Sequence, residues 1–369
     1  MFAAAALVAR VREWGSAKAQ EIPTFAFSVR GQKGAIPQVG LGTATIKGQR
    51  CVDAVKAALR AGYTMIDTAL LYGNQVEVGE GFRQSGQPRG SVWITSKVGF
   101  FPADGQALPN FDPANVKGGE AASIELSLKQ LQVPQVDLLL LHNGCTSHAE
   151  YASSVAPHWF ELKSYFGDAA TFAPQHPIFG NVRQHLLEAN LAEATAVAHP
   201  AAAYEARKAC WLALEKALHD QKARYIGVSN YPAEWLLEME KYATVMPAVN
   251  QLELHPRYAS PKLQQVAKDL GVVLTGYGSG NSVKLNLNQT LQEIADEVGR
   301  TPTAVVLRWT VQRGVVVIPR SANPSHIRDN LKCLDWTLSD DQMTRLDALD
   351  EDHPYYWSRD ANLVNTPAE

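Results

Sequence analysis

Asp67, Tyr72, Lys97 and His142 are the residues whose types, taken together, could deliver a proton to a bound substrate. A free tyrosine titrates near 10, too high for a good proton donor at neutral pH. A lysine cation against the phenol favours the phenolate and lowers that value. An aspartate paired to the lysine holds it charged and oriented, at the cost of weakening its pull. A neutral histidine beside them can hydrogen-bond a carbonyl oxygen. Such a pocket would bind a carbonyl and protonate its oxygen as hydride arrives at carbon. Taken singly, Lys97 reads equally as an ordinary ion-pair partner and His142 as a structural histidine. The joint placement is what carries the reading.

That placement depends on the elements around them. Short β-rich runs recur at Val39–Gly42, Thr64–Asp67, Val92–Lys97, Val136–Leu141, Arg224–Val228, Ala248–Gln251, Val272–Gly276 and Val315–Ile318. Stretches with helical periodicity lie between them, such as Val52-Val55-Ala58-Leu59 and Leu263-Val266-Ala267-Leu270. Strands alternating with helices predict parallel βα units, and near-continuous apolar strands fit a sheet covered on both faces. Eight units predict a single-domain (β/α)8 TIM barrel rather than an open sheet.

Polar or special residues mark every strand end: Gly42-Thr43, Asp67, Lys97, His142, Ser229-Asn230, Gln251, Tyr277 and Arg320-Ser321. In a barrel these ends converge on one face, where active sites sit.

One region breaks the alternation. Residues 143–203 follow the fourth strand over about 60 residues, far beyond the usual βα loop, and hold five of the ten histidines. This predicts an inserted loop or lid over the strand-end face. Cys145, His148 and His158 lie there without a repeated liganding spacing, so no metal site is predicted. Residues 100–113, rich in Pro, Gly and Asp, read as a second loop over the same face. The barrel is expected over 24–350, with an N-terminal extension at 1–23 and a C-terminal tail at 351–369. The extension is apolar from Phe2 to Ala9 with its charges after that stretch, which suits a disordered or helical tail better than a secretory signal, with organellar targeting by residues 1–20 as the alternative.

Composition narrows the classes further. The chain has 369 residues, and 34 Lys and Arg against 37 Asp and Glu give a net charge of −3, which argues against a nucleic-acid binder. The apolar runs within the barrel span only a few residues, whereas a membrane-spanning helix needs about 20. Four scattered cysteines suggest neither a disulfide framework nor a zinc knuckle, and the expected compartment is the reducing cytoplasm. No G-x-G-x-x-G follows a strand, and there is no P-loop, H-E-x-x-H or G-x-S-x-G.

Seven segments in order resemble the successive signatures of the aldo-keto reductase superfamily. They are Val39-Gly-Leu-Gly-Thr43, Gly62-Tyr-x-x-Ile-Asp67-Thr-Ala-x-x-Tyr72-Gly-Asn74, Ile94-Thr-Ser-Lys97, Leu138-Leu-Leu-Leu-His142, Ile226-Gly-Val-Ser-Asn230, Pro247 to Pro256, and Val317-Ile-Pro-Arg320-Ser321. The resemblance implies a barrel that binds extended NADPH, with NADH or dual use as the alternative, and reduces a small-molecule aldehyde or ketone. It implies Tyr72 as general acid, Lys97 and Asp67 as its tuning pair, and His142 orienting the carbonyl. Cofactor contacts would come from Gly42, Thr43, Asp67, Ser229, Asn230, Gln251 and Tyr277 around the nicotinamide. Arg320, Ser321, His326, Asp329 and Asn330 would hold the adenosine end. A monomer or weak homo-oligomer is expected.

The sequence also departs from that pattern. Asn143-Gly144 stands where Trp-Pro usually follows the histidine, so an aromatic wall is replaced by Asn143 as a polar substrate contact. Ala44 replaces a frequent aromatic, Gly278-Ser279-Gly280 replaces Ser-Pro-Leu-Gly, and His326 stands at the usual arginine to the 2′-phosphate. Two rival readings are a non-catalytic NADPH-binding regulatory protein and a barrel lyase in which Lys97 forms a Schiff base.

Overall fold

The computed structural model describes residues 22–99, 119–142, 200–279 and 288–352. Asn143, Cys145, His148, His158, the loop expected at residues 100–113, most of the expected insertion and most of both terminal extensions lie outside them.

Eight parallel strands run β3 (Leu41–Gly42), β4 (Met65–Asp67), β5 (Trp93–Val98), β6 (Val136–Leu141), β7 (Ala223–Ser229), β8 (Val249–Glu253), β9 (Val273–Tyr277) and β10 (Val316–Val317), each paired with its neighbour in sequence order. Parallel bridges Val39↔Val317 and Gly42↔Arg320 join the last strand to the first. The protein is a (β/α)8 TIM barrel. Its helices are α1 (Gly48–Ala61), α2 (Gln75–Ser85), α3 (Gly119–Leu131), α4 (Pro200–His219), α5 (Ala233–Met239), α6 (Pro261–Leu270), α7 (Gln289–Val298), α8 (Pro302–Gln312), α9 (Pro324–Leu331) and α10 (Asp340–Asp347). Helix α4 starts inside the span expected for the insertion.

The period of two along each strand sorts side chains into two cores. Met65, Trp93, Leu138, Leu140, Val249, Val273, Val316 and Ile318 fill the barrel interior. Their neighbours Ile66, Ile94, Leu139, Leu141, Ile226, Leu252, Leu274 and Val317 pack outward, where α1 contributes Val52, Val55, Ala58 and Leu59. Burying such an aliphatic side chain contributes about 1.5–3 kcal/mol relative to exposure. These two sets fix the register. A one-residue slip would turn every interior side chain, including those of the site, into the helical layer.

The sequence reading did not anticipate a hairpin of β1 (Thr24–Val29) and β2 (Gln32–Pro37) before the barrel. Gly31, at φ +80°, makes its turn. Phe27 and Ile36 join the interior core and close the end of the barrel opposite the site. Buried Gln32 ties the hairpin to the barrel by donating to Ile226 O at 2.9 Å and Met246 O at 2.7 Å. The hairpin's alternation is short and mixed in polarity, and so carries no clear strand signature. No helix among the described residues is long and apolar enough to cross a membrane.

Candidate active site

The inward positions of successive strands end at one rim. Asp67 follows Met65 by two residues, Lys97 follows Trp93 by four, and His142 follows Leu140 by two. The interior is therefore apolar up to the last layer and polar at its mouth.

Lys97 is 1% exposed and Asp67 2%. The lysine ammonium donates to Asp67 Oδ1 at 2.6 Å, to Thr68 O at 2.9 Å and to the Tyr72 hydroxyl oxygen at 3.3 Å. Its three protons are thus all used. A charge this deeply buried is tolerated because it is both paired and fully hydrogen-bonded. Asp67 Oδ2 accepts from Gln251 Nε2 at 2.8 Å, and the Asp67 backbone oxygen accepts from Thr43 Oγ1 at 2.9 Å. Tyr72 lies on a short 3-10 turn after β4, half-buried, with the Lys97 ammonium 4.8 Å from its ring centroid. Because Tyr72 accepts from Lys97, its own proton is available to a ligand. His142 stands edge-on to it with ring centroids 5.6 Å apart.

The acidity of Tyr72 differs from the expectation. Burial is the dominant influence and raises its pKa, Lys97 opposes it, and Asp67 reinforces it. The expected downward pull of the lysine exists, but it is outweighed. The phenol has lost its water, and the cation beside it is largely neutralised by a carboxylate at 2.6 Å. The Lys97 pKa is raised: desolvation lowers it, and Asp67 and Tyr72 together outweigh that.

His142 is held well below its ordinary pKa, chiefly by burial and then by the Lys97 charge. It is therefore a neutral hydrogen-bonding group. This has a consequence for stability. The unfolded chain takes up a proton near pH 6.5 that the native state resists. The His142 contribution is present above that value and is lost as pH falls below it, by at most about 1.4 kcal/mol per pH unit. Urea denaturation at pH 7 and pH 5 should show His142→Gln losing less stability on acidification than the parent protein.

The positions expected around the nicotinamide meet at the same mouth. Tyr277 donates to Asn230 Oδ1 at 2.8 Å, Asn230 Nδ2 donates to His142 O at 3.0 Å, and Ser229 Oγ donates to Gln251 O at 2.7 Å. Asn230 has φ +61°, a conformation asparagine tolerates better than most residues. Gly42 is required by packing: a Cβ there would lie 2.6 Å from Ile318 O at the closing seam. Around the start of α9, Arg320 donates to Thr45 Oγ1, and Ser321 Oγ accepts from Asn323 N at 3.1 Å. His326, Asp329 and Asn330 share one face of α9 by their three- and four-residue spacing. His326 and Asp329 are exposed, and Asp329 accepts from Lys332 Nζ at 2.7 Å. Asp329 is thus engaged with the residue just past its own helix.

Three residues outside the expected set shape the site. Thr68 supplies the third acceptor to Lys97. Asn74 donates to Thr43 O at 2.8 Å and Ile46 O at 2.9 Å, and so anchors the β3–α1 loop. Thr45 holds Arg320. Asn74 and Thr68 stand inside a motif already singled out, but backbone-directed contacts leave no signature in spacing.

The residues suit a nicotinamide dinucleotide. Amides and a hydroxyl stand at the mouth, with Asn230 against Tyr277, and a guanidinium and a hydroxyl precede the positive end of α9. Fold and site together define a barrel oxidoreductase. The chain belongs to the aldo-keto reductase family, whose model matches residues 38–280 and 279–351. It is 31% identical to the 9,11-endoperoxide prostaglandin H2 reductase of Trypanosoma cruzi over 321 residues, covering 86% of this chain and 89% of that protein. It is also 31% identical to the glyoxal reductase of Bacillus subtilis, covering 86% and 90%. It is 29% identical to an NAD(P)H-dependent D-xylose reductase of Candida tropicalis, covering 85% and 89%. The crystal structure of an aldo/keto reductase from Brucella melitensis shares the fold, with a TM-score of 0.66 at 24% identity over 90% of this chain and all of that one.

Proposed function

We propose that this protein reduces an aldehyde or ketone to the alcohol with NADPH, Tyr72 donating the proton to the carbonyl oxygen. The observation that carries the reading is the arrangement of Lys97, whose third hydrogen bond ends on the Tyr72 oxygen and leaves the phenol proton for a ligand. When bound, the cofactor supplies hydride to the carbonyl carbon. Neutral His142 orients the carbonyl oxygen toward Tyr72. The positive charge of Lys97 stabilises negative charge as it develops on the phenol oxygen, while Asp67 keeps that cation in place. The closed apolar interior beneath excludes water from this proton transfer. We place the reductase unit at 24–350.

The raised pKa of Lys97 counts against a Schiff-base lyase, because a nucleophilic lysine must be deprotonated near neutral pH and therefore needs a lowered value. Oxidation of NADPH and of NADH, followed against a panel of aldehydes, dicarbonyls, aldoses and ketones, tests the reading. Cofactor binding without turnover on any of them would favour a regulatory protein instead.

Cofactor choice is assigned to Arg320, since a guanidinium forks onto a phosphate whereas a neutral imidazole cannot. Arg320→Ala should weaken NADPH by about 10-fold or more, in line with a charge-assisted hydrogen bond of about 1.5–3 kcal/mol, and should leave NADH nearly unchanged. Equal losses for both cofactors in a fluorescence titration would remove this assignment. His326→Arg should tighten NADPH selectively.

A further inference from the structure

We propose that Thr45 is a positioning residue for the cofactor's phosphate: its hydroxyl, presented from a strained turn, holds the Arg320 guanidinium ready across the seam between β3 and β10. This rests on the assignment of Arg320 to the phosphate.

The turn is the first observation. Ile46 N donates to Thr43 O at 3.1 Å, closing a four-residue turn in which Thr45 is the third residue, at φ +65°. A positive φ at that position favours glycine or asparagine. A β-branched residue there is a genuine outlier, and such outliers gather where function over-determines the backbone. Among the other described non-glycine residues with positive φ, Gln132 directly follows α3, Gln221 lies just after α4, Asn230 and Asp352 are of tolerant types, and Ser260 precedes α6. Thr45 alone among them is β-branched.

The second observation is what the turn delivers. Both ends of the loop are tied down, Thr43 to the Asp67 backbone and Thr43 and Ile46 to Asn74. Thr45 cannot relax without breaking these bonds. Its Oγ1 accepts from Arg320 Nη1, and Arg320 lies beside Gly42 in the bridge that closes the barrel. A glycine would fit the turn better and would lose this acceptor. An arginine side chain has large rotamer freedom, which binding must otherwise remove. Tethering it in the apo protein removes that cost before the phosphate arrives.

The test uses the whole protein without carbonyl substrate. Dissociation constants for NADPH and NADH are read by protein fluorescence, and melting temperatures are read on the apo protein, for Thr45→Val, Thr45→Ser and Thr45→Gly. Losing one hydrogen bond of about 0.5–1.5 kcal/mol predicts that Thr45→Val weakens NADPH by roughly 2- to 10-fold with NADH unchanged. Thr45→Ser should restore NADPH binding. Thr45→Gly should weaken NADPH as Val does while melting no lower than the parent, which a merely structural role would not produce. Thr45→Val should add nothing in an Arg320→Ala background. Unchanged or tightened NADPH binding, or equal weakening of both cofactors, overturns the proposal. If Arg320→Ala separates the cofactors and Thr45→Val does not, only the positioning role falls. If Arg320→Ala itself fails to separate them, the phosphate assignment falls and takes the proposal with it.

Discussion

Tyr72→Phe should lower kcat for carbonyl reduction by about 10²–10⁴-fold, the usual contribution of general acid catalysis. At 1.36 kcal/mol per decade this is roughly 3–5 kcal/mol of barrier. The substitution removes one oxygen and keeps the ring, so packing against His142 and the fold of the short turn after β4 should survive. NADPH binding should change little, which separates loss of chemistry from loss of the site. The upward shift of Tyr72 means that the phenol is protonated throughout the neutral range. Turnover should therefore show no loss attributable to Tyr72 or Lys97 until pH exceeds about 10. Lys97→Met should cost a comparable factor by removing the cation that offsets developing charge on the phenol oxygen. Tyr72→Phe combined with Lys97→Met should fall well short of the product of the two losses, because both act on one proton transfer. Near-normal turnover by Tyr72→Phe on every active substrate would exclude the mechanism while leaving fold and family untouched.

Asp67→Ala should destabilise the native state by about 3–5 kcal/mol, the cost of stripping one partner from a buried ion pair. The geometry explains the size: Lys97 would keep its charge at 1% exposure with only Thr68 O and the Tyr72 hydroxyl as acceptors. Urea midpoints at pH 7 read this directly. Replacing both members, as Asp67→Leu with Lys97→Met, should restore much of the lost stability while abolishing turnover, since an apolar pair carries no desolvation cost. The dependence on pH has a definite sign. The folded pKa of Lys97 lies above its ordinary 10.5. Its contribution is therefore complete below 10.5 and fades as pH rises through the folded value. The gap between parent and Asp67→Ala should be full at neutral pH and close only in strong alkali. A loss below 1 kcal/mol would show that water reaches this pair.

Much of this molecule was legible before any coordinate. The eight strands lie within two residues of where apolar runs placed them, because a parallel strand covered on both faces must be apolar nearly throughout. The rim residues could be read from where those runs stop, because polarity returns only where the interior opens. Asp67, Lys97 and His142 needed no pattern beyond strand, then end.

What the tertiary structure decided lies in contacts between distant segments and in the balance of energies at one point. The hairpin over the far end of the barrel depends on Phe27 and Ile36 joining the interior side chains of the barrel strands, with Phe27 edge-on to Tyr225 at 4.9 Å, which a short alternation cannot announce. Gly42 reads as a place for a ligand to approach, but the space its missing Cβ leaves is filled by the Ile318 carbonyl across the seam. The presence of Lys97 beside Tyr72 was readable. The direction of the phenol's shift was not, because it depends on how much water burial removes and on how closely Asp67 neutralises the cation. Thr45 and Arg320 are 275 positions apart, and only closure of the barrel makes them neighbours.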